Sequence, residues 1–191
     1  MDGHRWFRYW TYVALAMCWI TIILGGNVIA SGSGLGCPDW PLCQPGDGLF
    51  PTLSGPTGIE WTHRLAAFFL AVTIVVLTVL AVAYERHRPA MVRLSLGALV
   101  LVGVLALLGG AVVDSDLNIG LVLVHFGVAT ILLAILLVLA MLANWGHIPR
   151  RWKRWAERAA SEHPAPPSEP PADSFPSNRA LAPDGSLAGE G

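Results

Sequence analysis

Four long apolar stretches restrict what this chain can fold into. They cover residues 12–30, 61–84, 94–113 and 119–143. A helix needs about 20 mostly apolar residues to cross the hydrocarbon core of a bilayer. The composition, 54% hydrophobic and 13% charged, provides too little polar surface for a soluble domain of this size. We therefore predict an all-α fold, an integral membrane four-helix bundle in which each stretch is one helix.

Arginines and lysines flank these stretches on one side only. Arg5 and Arg8 precede the first stretch. Further clusters lie between the second and third stretches and after the fourth: Arg86, Arg88, Arg93, Arg150, Arg151, Lys153, Arg154 and Arg158. Loops that carry positive charge stay in the cytoplasm. The pattern predicts a multi-pass protein of the plasma membrane with both termini cytoplasmic, and it places Trp40 and Trp61 at the outer membrane interface.

The C-terminal part of the chain differs in composition from the rest. Residues 159–191 are rich in Pro, Ser, Ala and Gly, and such a segment cannot bury enough apolar surface to fold. We predict that residues 1–158 form the membrane domain and that residues 159–191 form a disordered cytoplasmic tail. The first apolar stretch is longer than a signal-peptide core, so we expect it to be retained as a helix.

Glu60, His63 and Arg64 stand at the start of the second stretch, where ionisable side chains are costly and invite a functional interpretation. On a helix, spacings of three and four residues place them on one face. A neutral imidazole can bind a metal ion, a carboxylate can move protons, and a guanidinium can hold an anion. The alternative is a Glu60–Arg64 ion pair beside an interfacial histidine, and this motif alone does not decide between the two.

An internal repeat links two histidines. Residues 24–31 and 108–115 both read Leu-Gly-Gly-x-Val-x-x-Ser, and each copy is followed by a loop and a helix with a histidine near its start, His63 or His125. The bundle is therefore predicted to consist of two repeated helical hairpins. Histidines at equivalent points can face each other across such a bundle. The last stretch has no Cys, Asp or Glu to complete a zinc shell, so the pattern favours heme.

Cys37 and Cys43 lie close together in the loop after the first copy of the repeat, on the predicted outer side. Neighbouring cysteines in an oxidising compartment are expected to form a disulfide. A dithiol redox role remains open, although the spacing is not Cys-x-x-Cys. Cys18, inside the first stretch, is interpreted as a small buried core residue.

The ordered set of motifs resembles the heme A synthase family of cytochrome oxidase assembly enzymes. The motifs are Gly25-Gly26-x-Val28, Ser31-Gly32-Ser33-Gly34-Leu35-x-Cys37-Pro38-Asp39-Trp40-Pro41-Leu42-Cys43 and Glu60-Trp61-x-His63-Arg64. The resemblance implies a membrane oxidoreductase that converts heme O to heme A by oxidising the C8 methyl group to a formyl group. Members usually have eight helices in two similar four-helix halves, so this chain resembles a half-size member.

The resemblance also assigns roles by position. It implies that His63 and His125 are the ligands of heme iron, that Glu60 is the catalytic carboxylate, and that Cys37 and Cys43 form a disulfide on the outer side. Each role rests on the match of these residues to the family's motifs.

Cofactors and partners follow from the same resemblance. The bound group would be heme O as substrate, or heme b or heme A, and Arg64 would pair with a heme propionate or with Glu60. The expected partners are heme O, a second copy of the chain in a homo-oligomer, a heme O synthase or an electron-transfer protein, and the lipid bilayer. No nucleic acid is expected as a partner.

Three other functions use the same residues differently. A b-type electron carrier would need the histidines alone, and a non-catalytic heme-binding assembly subunit would depend on another chain. A thiol–disulfide membrane protein would cycle Cys37 and Cys43 while the histidines were structural. Glu60 separates the electron carrier from the enzyme, because a pure carrier needs no carboxylate beside its heme.

Overall fold

The computed structural model describes residues 3–43, 51, 54–145, 155, 157–158 and 161–162. Four long helices form the bundle: α1 (Gly3–Ala30), α2 (Gly55–Tyr84), α3 (Pro89–Asp114) and α4 (Ile119–Trp145). Each is long and apolar enough to cross a membrane. Within the described ranges there is no β-strand. The predicted all-α membrane bundle is confirmed, and the chain is a multi-pass membrane protein.

All four helices contain the predicted apolar stretches, and three begin before them. α1 starts at Gly3 rather than residue 12, α2 at Gly55 rather than 61, and α3 at Pro89 rather than 94. Hydropathy marks the hydrocarbon boundary, whereas helical hydrogen bonding continues into the interface. Pro56 and Pro89 lie in the first turns of α2 and α3, where the missing N–H would have no partner in the helix.

Consecutive helices run antiparallel as two hairpins, α1–α2 and α3–α4. At one end Gly3 of α1 lies against the ring of Tyr84 of α2, and at the other end Gly25 lies against His63. Each helix packs on two neighbours in chain order, and α4 closes the ring on α1. We call the end with Gly25 and His63 the upper end and the opposite end the lower end. The prediction of two helical hairpins in one bundle is confirmed.

The apolar core fills the lower half of the bundle. Its fully buried large side chains come from all four helices: Phe7, Ile74, Leu77, Met91, Leu132, Leu136 and Leu139. In a bilayer such contacts stabilise the bundle through close packing, because lipid tails are as apolar as the side chains. The core ends at Leu70, Val102 and Leu132, and above this level the bundle is less densely filled.

A buried carboxylate ties three helices together at the lower end. Glu85, directly after α2, is 3% exposed. Its Oε1 lies 2.7 Å from Nδ1 of His4 near the start of α1, and its Oε2 accepts a hydrogen bond from Nη1 of Arg88 at 3.4 Å. Nη2 of Arg88 also donates to the carbonyl oxygen of Leu142 in α4 at 2.7 Å.

The C-terminal segment, Arg151–Gly191, is a separate unit. Within the predicted tail, only Ser161 and Glu162 are described, and both are helical and exposed. The predicted disorder of the other tail residues lies outside the described residues.

Candidate functional site

The upper half of the bundle contains a cavity of about 510 Å³. This volume lies within the roughly 300–1,000 Å³ that is typical of ligand pockets. All four helices contribute to its walls, Leu70, Val102 and Leu132 form its floor, and Trp40 and Leu42 cover it from the α1–α2 loop. Four of the predicted site residues line the cavity, namely Glu60, His63, Arg64 and His125. Cys37 and Cys43 are not among the lining residues.

Each cavity histidine lies against the first glycine of the Leu-Gly-Gly motif in its own hairpin. A Cβ atom on Gly25 would come within 3.0 Å of Cε1 of His63, and one on Gly109 would lie 3.7 Å from Cε1 of His125. The sequence left open whether these glycines serve helix packing or a flat ligand. In the structure they make room for the imidazole rings, and both hairpins place their histidine in the same way.

The imidazole rings retain unused nitrogen atoms. Nδ1 of His63 and Nδ1 of His125 are buried, and neither has a hydrogen-bond partner among the described residues. Leaving a buried polar atom without a hydrogen-bond partner costs about 1–3 kcal/mol of folding free energy. A ligand that bonded to these nitrogens would remove that cost, so each ring has a nitrogen available to a ligand. In the part of the chain that the structure describes, no three His, Cys, Asp or Glu side chains group as a protein-only metal site requires. The histidine pair fits heme, whose porphyrin supplies the other iron ligands.

Glu60 is 3% exposed, and both of its carboxylate oxygens accept hydrogen bonds. Oε2 accepts one from the backbone N–H of Cys37 at 2.8 Å. Oε1 accepts one from Nε of Arg64 at 3.1 Å and another from Nη2 of Arg64 at 2.5 Å. The ion pair that the sequence offered as an alternative is therefore present. Because Glu60 also lines the cavity, the pairing does not remove the carboxylate from reach of a ligand.

Arg64 uses its remaining N–H groups on backbone carbonyls. Nη1 donates to the carbonyl oxygens of Asp39 at 2.5 Å and Leu42 at 2.9 Å, and Nη2 donates to that of Cys37 at 2.7 Å. A guanidinium has five N–H donors. With the two bonds to Glu60, every donor of Arg64 has a partner inside the chain. A contact between Arg64 and a heme propionate stays a prediction, and it would require one of these bonds to break.

Residues Cys37–Cys43, here called the cap loop, are closed by a disulfide between the two end residues. The predicted disulfide is confirmed. Both cysteines are buried together with Trp61, which is only 8% exposed. Trp61 packs against the disulfide, and its position at the membrane interface stays a prediction. Cys18 is buried as expected and lines the cavity.

Comparison with known proteins gives these residues a family. Residues 8–54 and 55–162 match the sequence model of a family described as cytochrome oxidase assembly protein. Heme A synthases of Bacillus mycoides (strain KBAB4), Bacillus cereus (strain AH187) and Bacillus anthracis (strain CDC 684 / NRRL 3495) are each 30% identical over 138 residues. The matched region covers 71% of this chain and 44% of each relative, so the chain spans less than half of their length. The chain belongs to the heme A synthase family.

In this member of the heme A synthase family, glycines also determine how the cap loop sits on the bundle. A Cβ atom on Gly36 would lie 2.5 Å from the backbone of Pro56 in α2, a distance that no side chain tolerates. A Cβ atom on Gly110 would lie 3.2 Å from the indole of Trp40. In the sequence, the contact between Gly110 and Trp40 is marked only by Gly110 being the second glycine of a repeated pair, which does not predict a loop contact.

Leu117, in the short loop after α3, contacts the α1–α2 loop above the cavity. A Cβ atom on Gly34 would come within 2.7 Å of its Cδ2, and Leu117 lines the cavity. Its φ of 64° and the φ of 53° at Asp116 are left-handed conformations. They cost about 1–2 kcal/mol each in a residue with a Cβ atom. Residues 114–118 have the Asp, Ser and Asn side chains that are typical of a turn, and nothing among them predicts that the leucine covers a cavity.

Proposed function

We propose that this protein oxidises the C8 methyl group of heme O to a formyl group and so makes heme A for cytochrome oxidase. Membership of the heme A synthase family supports this activity. The observation that carries the proposal is the convergence of Glu60, His63 and His125 on one cavity. A cavity of about 510 Å³ with two imidazoles and one carboxylate on its walls suits a reaction on a porphyrin better than simple heme storage, which needs no carboxylate.

His63 and His125 would hold the heme iron between α2 and α4. When heme is bound, its iron and conjugated ring supply the electron-transfer chemistry. The apolar walls exclude bulk water, which strengthens the electrostatic interactions within the site. The two histidines would therefore hold the porphyrin in the same cavity that Glu60 lines.

Conversion of the methyl group to a formyl group takes one oxygen atom from water and releases four protons and, to an electron-transfer protein, four electrons. Glu60 would take up one of these protons. An ionised carboxylate has about four lone-pair sites. Three N–H groups, one from Cys37 and two from Arg64, occupy part of this capacity. The remaining lone-pair site can accept a proton from a molecule in the cavity. Because the carboxylate is already held in place, it can act as a general base without reorganisation.

We propose that the upper end faces the outside of the plasma membrane and that both termini are cytoplasmic. The arginine-rich flanks of the apolar stretches support this orientation. The Cys37–Cys43 disulfide also supports it, because such bonds persist in oxidising compartments. We further propose a homo-oligomer in which a second copy supplies a second four-helix unit. A heme O synthase would deliver the substrate, and an electron-transfer protein would accept the electrons.

Production of the chain in cells that make heme O but lack heme A synthase tests this function. Pigments extracted from the membranes would be separated by chromatography, with cells carrying an empty vector as the control. We expect heme A only in cells that make the chain. If heme O remains the only product while the purified protein carries bound heme, the chain is an electron carrier or an assembly subunit instead. The mass of the purified protein in detergent tests the oligomer separately.

A further inference from the structure

We propose that Arg64 is a positioning residue that joins the cap loop to Glu60, and that it does not bind a heme propionate. The importance of Glu60 rests on the heme A synthase activity proposed above. The contacts of Arg64 themselves lie within the protein, so they can be tested without catalysis.

The backbone of the cap loop converges on the guanidinium of Arg64. Carbonyl oxygens from the start, middle and end of the loop, those of Cys37, Asp39 and Leu42, all accept hydrogen bonds from it. Backbone carbonyls that are taken from water need partners. Within the cap loop there is one backbone–backbone hydrogen bond, from the N–H of Asp39 to the carbonyl oxygen of Cys43 at 3.3 Å. Arg64 therefore supplies most of the partners that hold this loop in its conformation.

The same side chain fixes the catalytic carboxylate from two directions. Arg64 donates directly to Oε1 of Glu60 and to the carbonyl oxygen of Cys37. The N–H of Cys37 in turn donates to Oε2 of Glu60. Glu60, Arg64 and the backbone of Cys37 form a closed set of hydrogen bonds, so movement of the disulfide end of the cap loop would move the carboxylate.

The charges at the upper end argue against a second anion at Arg64. Among the described residues that line the cavity, Arg64 is the one side chain with a permanent positive charge, and Glu60 already pairs with it. Residues 31–59 contain no Lys or Arg. If Arg64 turned toward a propionate, no other cation nearby would replace it beneath the cap loop, and three carbonyl oxygens would lose their donor.

The binding of two porphyrins, one with and one without ionised propionates, tests whether Arg64 binds a propionate or only holds the cap loop. Purified wild-type protein freed of heme would be titrated with hemin and with hemin dimethyl ester, which lacks ionised propionates. We expect the two dissociation constants to agree within about threefold, because charge-assisted hydrogen bonds to a propionate would favour hemin by about tenfold or more. The same titration of Arg64→Lys is expected to give values close to those of the wild type for both porphyrins.

Reduction of the disulfide measures how firmly Arg64 holds the cap loop. The protein would be incubated in dithiothreitol, and samples taken over time would be labelled to count the thiols of Cys37 and Cys43 in addition to that of Cys18. Lysine keeps the charge but has three donors on a point charge, so we expect Arg64→Lys to be reduced about tenfold faster. Arg88→Lys is the matched control, because Arg88 pairs with the buried Glu85 at the lower end. Its reduction rate should stay within about twofold of the wild type.

Both measurements test the role of Arg64 independently of the heme A synthase activity. Equal binding of both porphyrins with faster reduction in Arg64→Lys supports it, whether or not heme A is made. A tenfold preference of the wild type for hemin that Arg64→Lys abolishes would overturn it, as would an unchanged reduction rate. If Arg64→Lys does not fold, the wild-type titration decides, since it needs no variant.

Discussion

Helix α2 has a buried carboxylate at each end, and the surroundings of the two carboxylates differ. Glu60 and Glu85 are both 3% exposed, and each pairs with an arginine three or four residues later. Glu60 lines a cavity that contains two histidines, whereas Glu85 sits below a packed core. Burial and ion pairing alone therefore do not identify a catalytic carboxylate. The adjacent cavity and the unpaired histidine nitrogens distinguish the upper end.

The two arginines differ as well. The Arg64 side chain is 14% exposed and has a partner for every donor, while the Arg88 side chain is 42% exposed and lies 3.4 Å from its carboxylate. Arg64 thus supports a loop over the cavity, and Arg88 links helix ends near the membrane surface. Three predictions test this contrast, and a fourth tests the contact of the cap loop with the upper end.

The largest expected effect is on heme A production. Glu60→Gln keeps the size of the side chain but removes its charge, and we expect heme A to fall about 100-fold or more, the range of lost general acid–base catalysis. Glu85→Gln makes the same change at the lower end and should leave heme A within about threefold of the wild type once corrected for protein amount. Pigment chromatography measures both. Equal losses in the two variants would mean that Glu60 is only a structural anchor.

Heme retention should differ between the ends almost as strongly. His63→Ala and His125→Ala are each expected to lose the low-spin heme spectrum of the purified protein, because each removes one iron ligand. His4→Ala removes the histidine that contacts Glu85 and should keep the spectrum. Absorbance spectra and the heme-to-protein ratio provide the measurement. An unchanged spectrum in both cavity variants would exclude the histidine pair as the heme site.

Stability should distinguish the arginines. Arg64→Ala leaves Oε1 of Glu60 and three backbone carbonyls without donors. Loss of one partner of a buried pair costs about 3–5 kcal/mol. Arg88→Ala breaks a pair that is partly open to solvent and should cost about 0–1 kcal/mol. Unfolding of both proteins in detergent, followed by circular dichroism, compares the two losses. Similar losses would contradict the stronger support that the structure gives to the upper end.

Local patterns in the sequence predicted much of the upper end. Apolar length predicted the helices, the spacing of Glu60 and Arg64 predicted their pairing, and the Leu-Gly-Gly repeat predicted equivalent places for His63 and His125. These features depend on neighbours along one helix or on an internal copy. The sequence did not predict the three carbonyls on Arg64, because backbone acceptors are the same in every residue and their direction depends on the fold of the loop.

The lower end was not predicted for a related reason. Glu85 stands among arginines in a short loop, and this charge pattern predicts only the topology. Its burial depends on His4, which is 81 positions away, and on Leu142 of another helix. Trp61 shows the same limit, since its aromatic character fits an interface equally well. Only the position of the disulfide in space shows that this ring is covered.

The smallest expected effect concerns how the cap loop sits over the cavity. Gly26 and Gly110 are equivalent in the repeat, but a Cβ atom on Gly26 would meet nothing within 4 Å, whereas one on Gly110 would press on Trp40 at 3.2 Å. Both alanine variants gain about 0.5–1 kcal/mol from a less flexible helix backbone. In Gly110→Ala we expect displacement of Trp40 to cancel this gain and to make the Cys37–Cys43 disulfide about two- to threefold easier to reduce. Gly26→Ala should be slightly more stable than the wild type, with an unchanged reduction rate. Thermal unfolding and thiol labelling would be measured on both proteins, and identical behaviour would show that Trp40 does not anchor the loop.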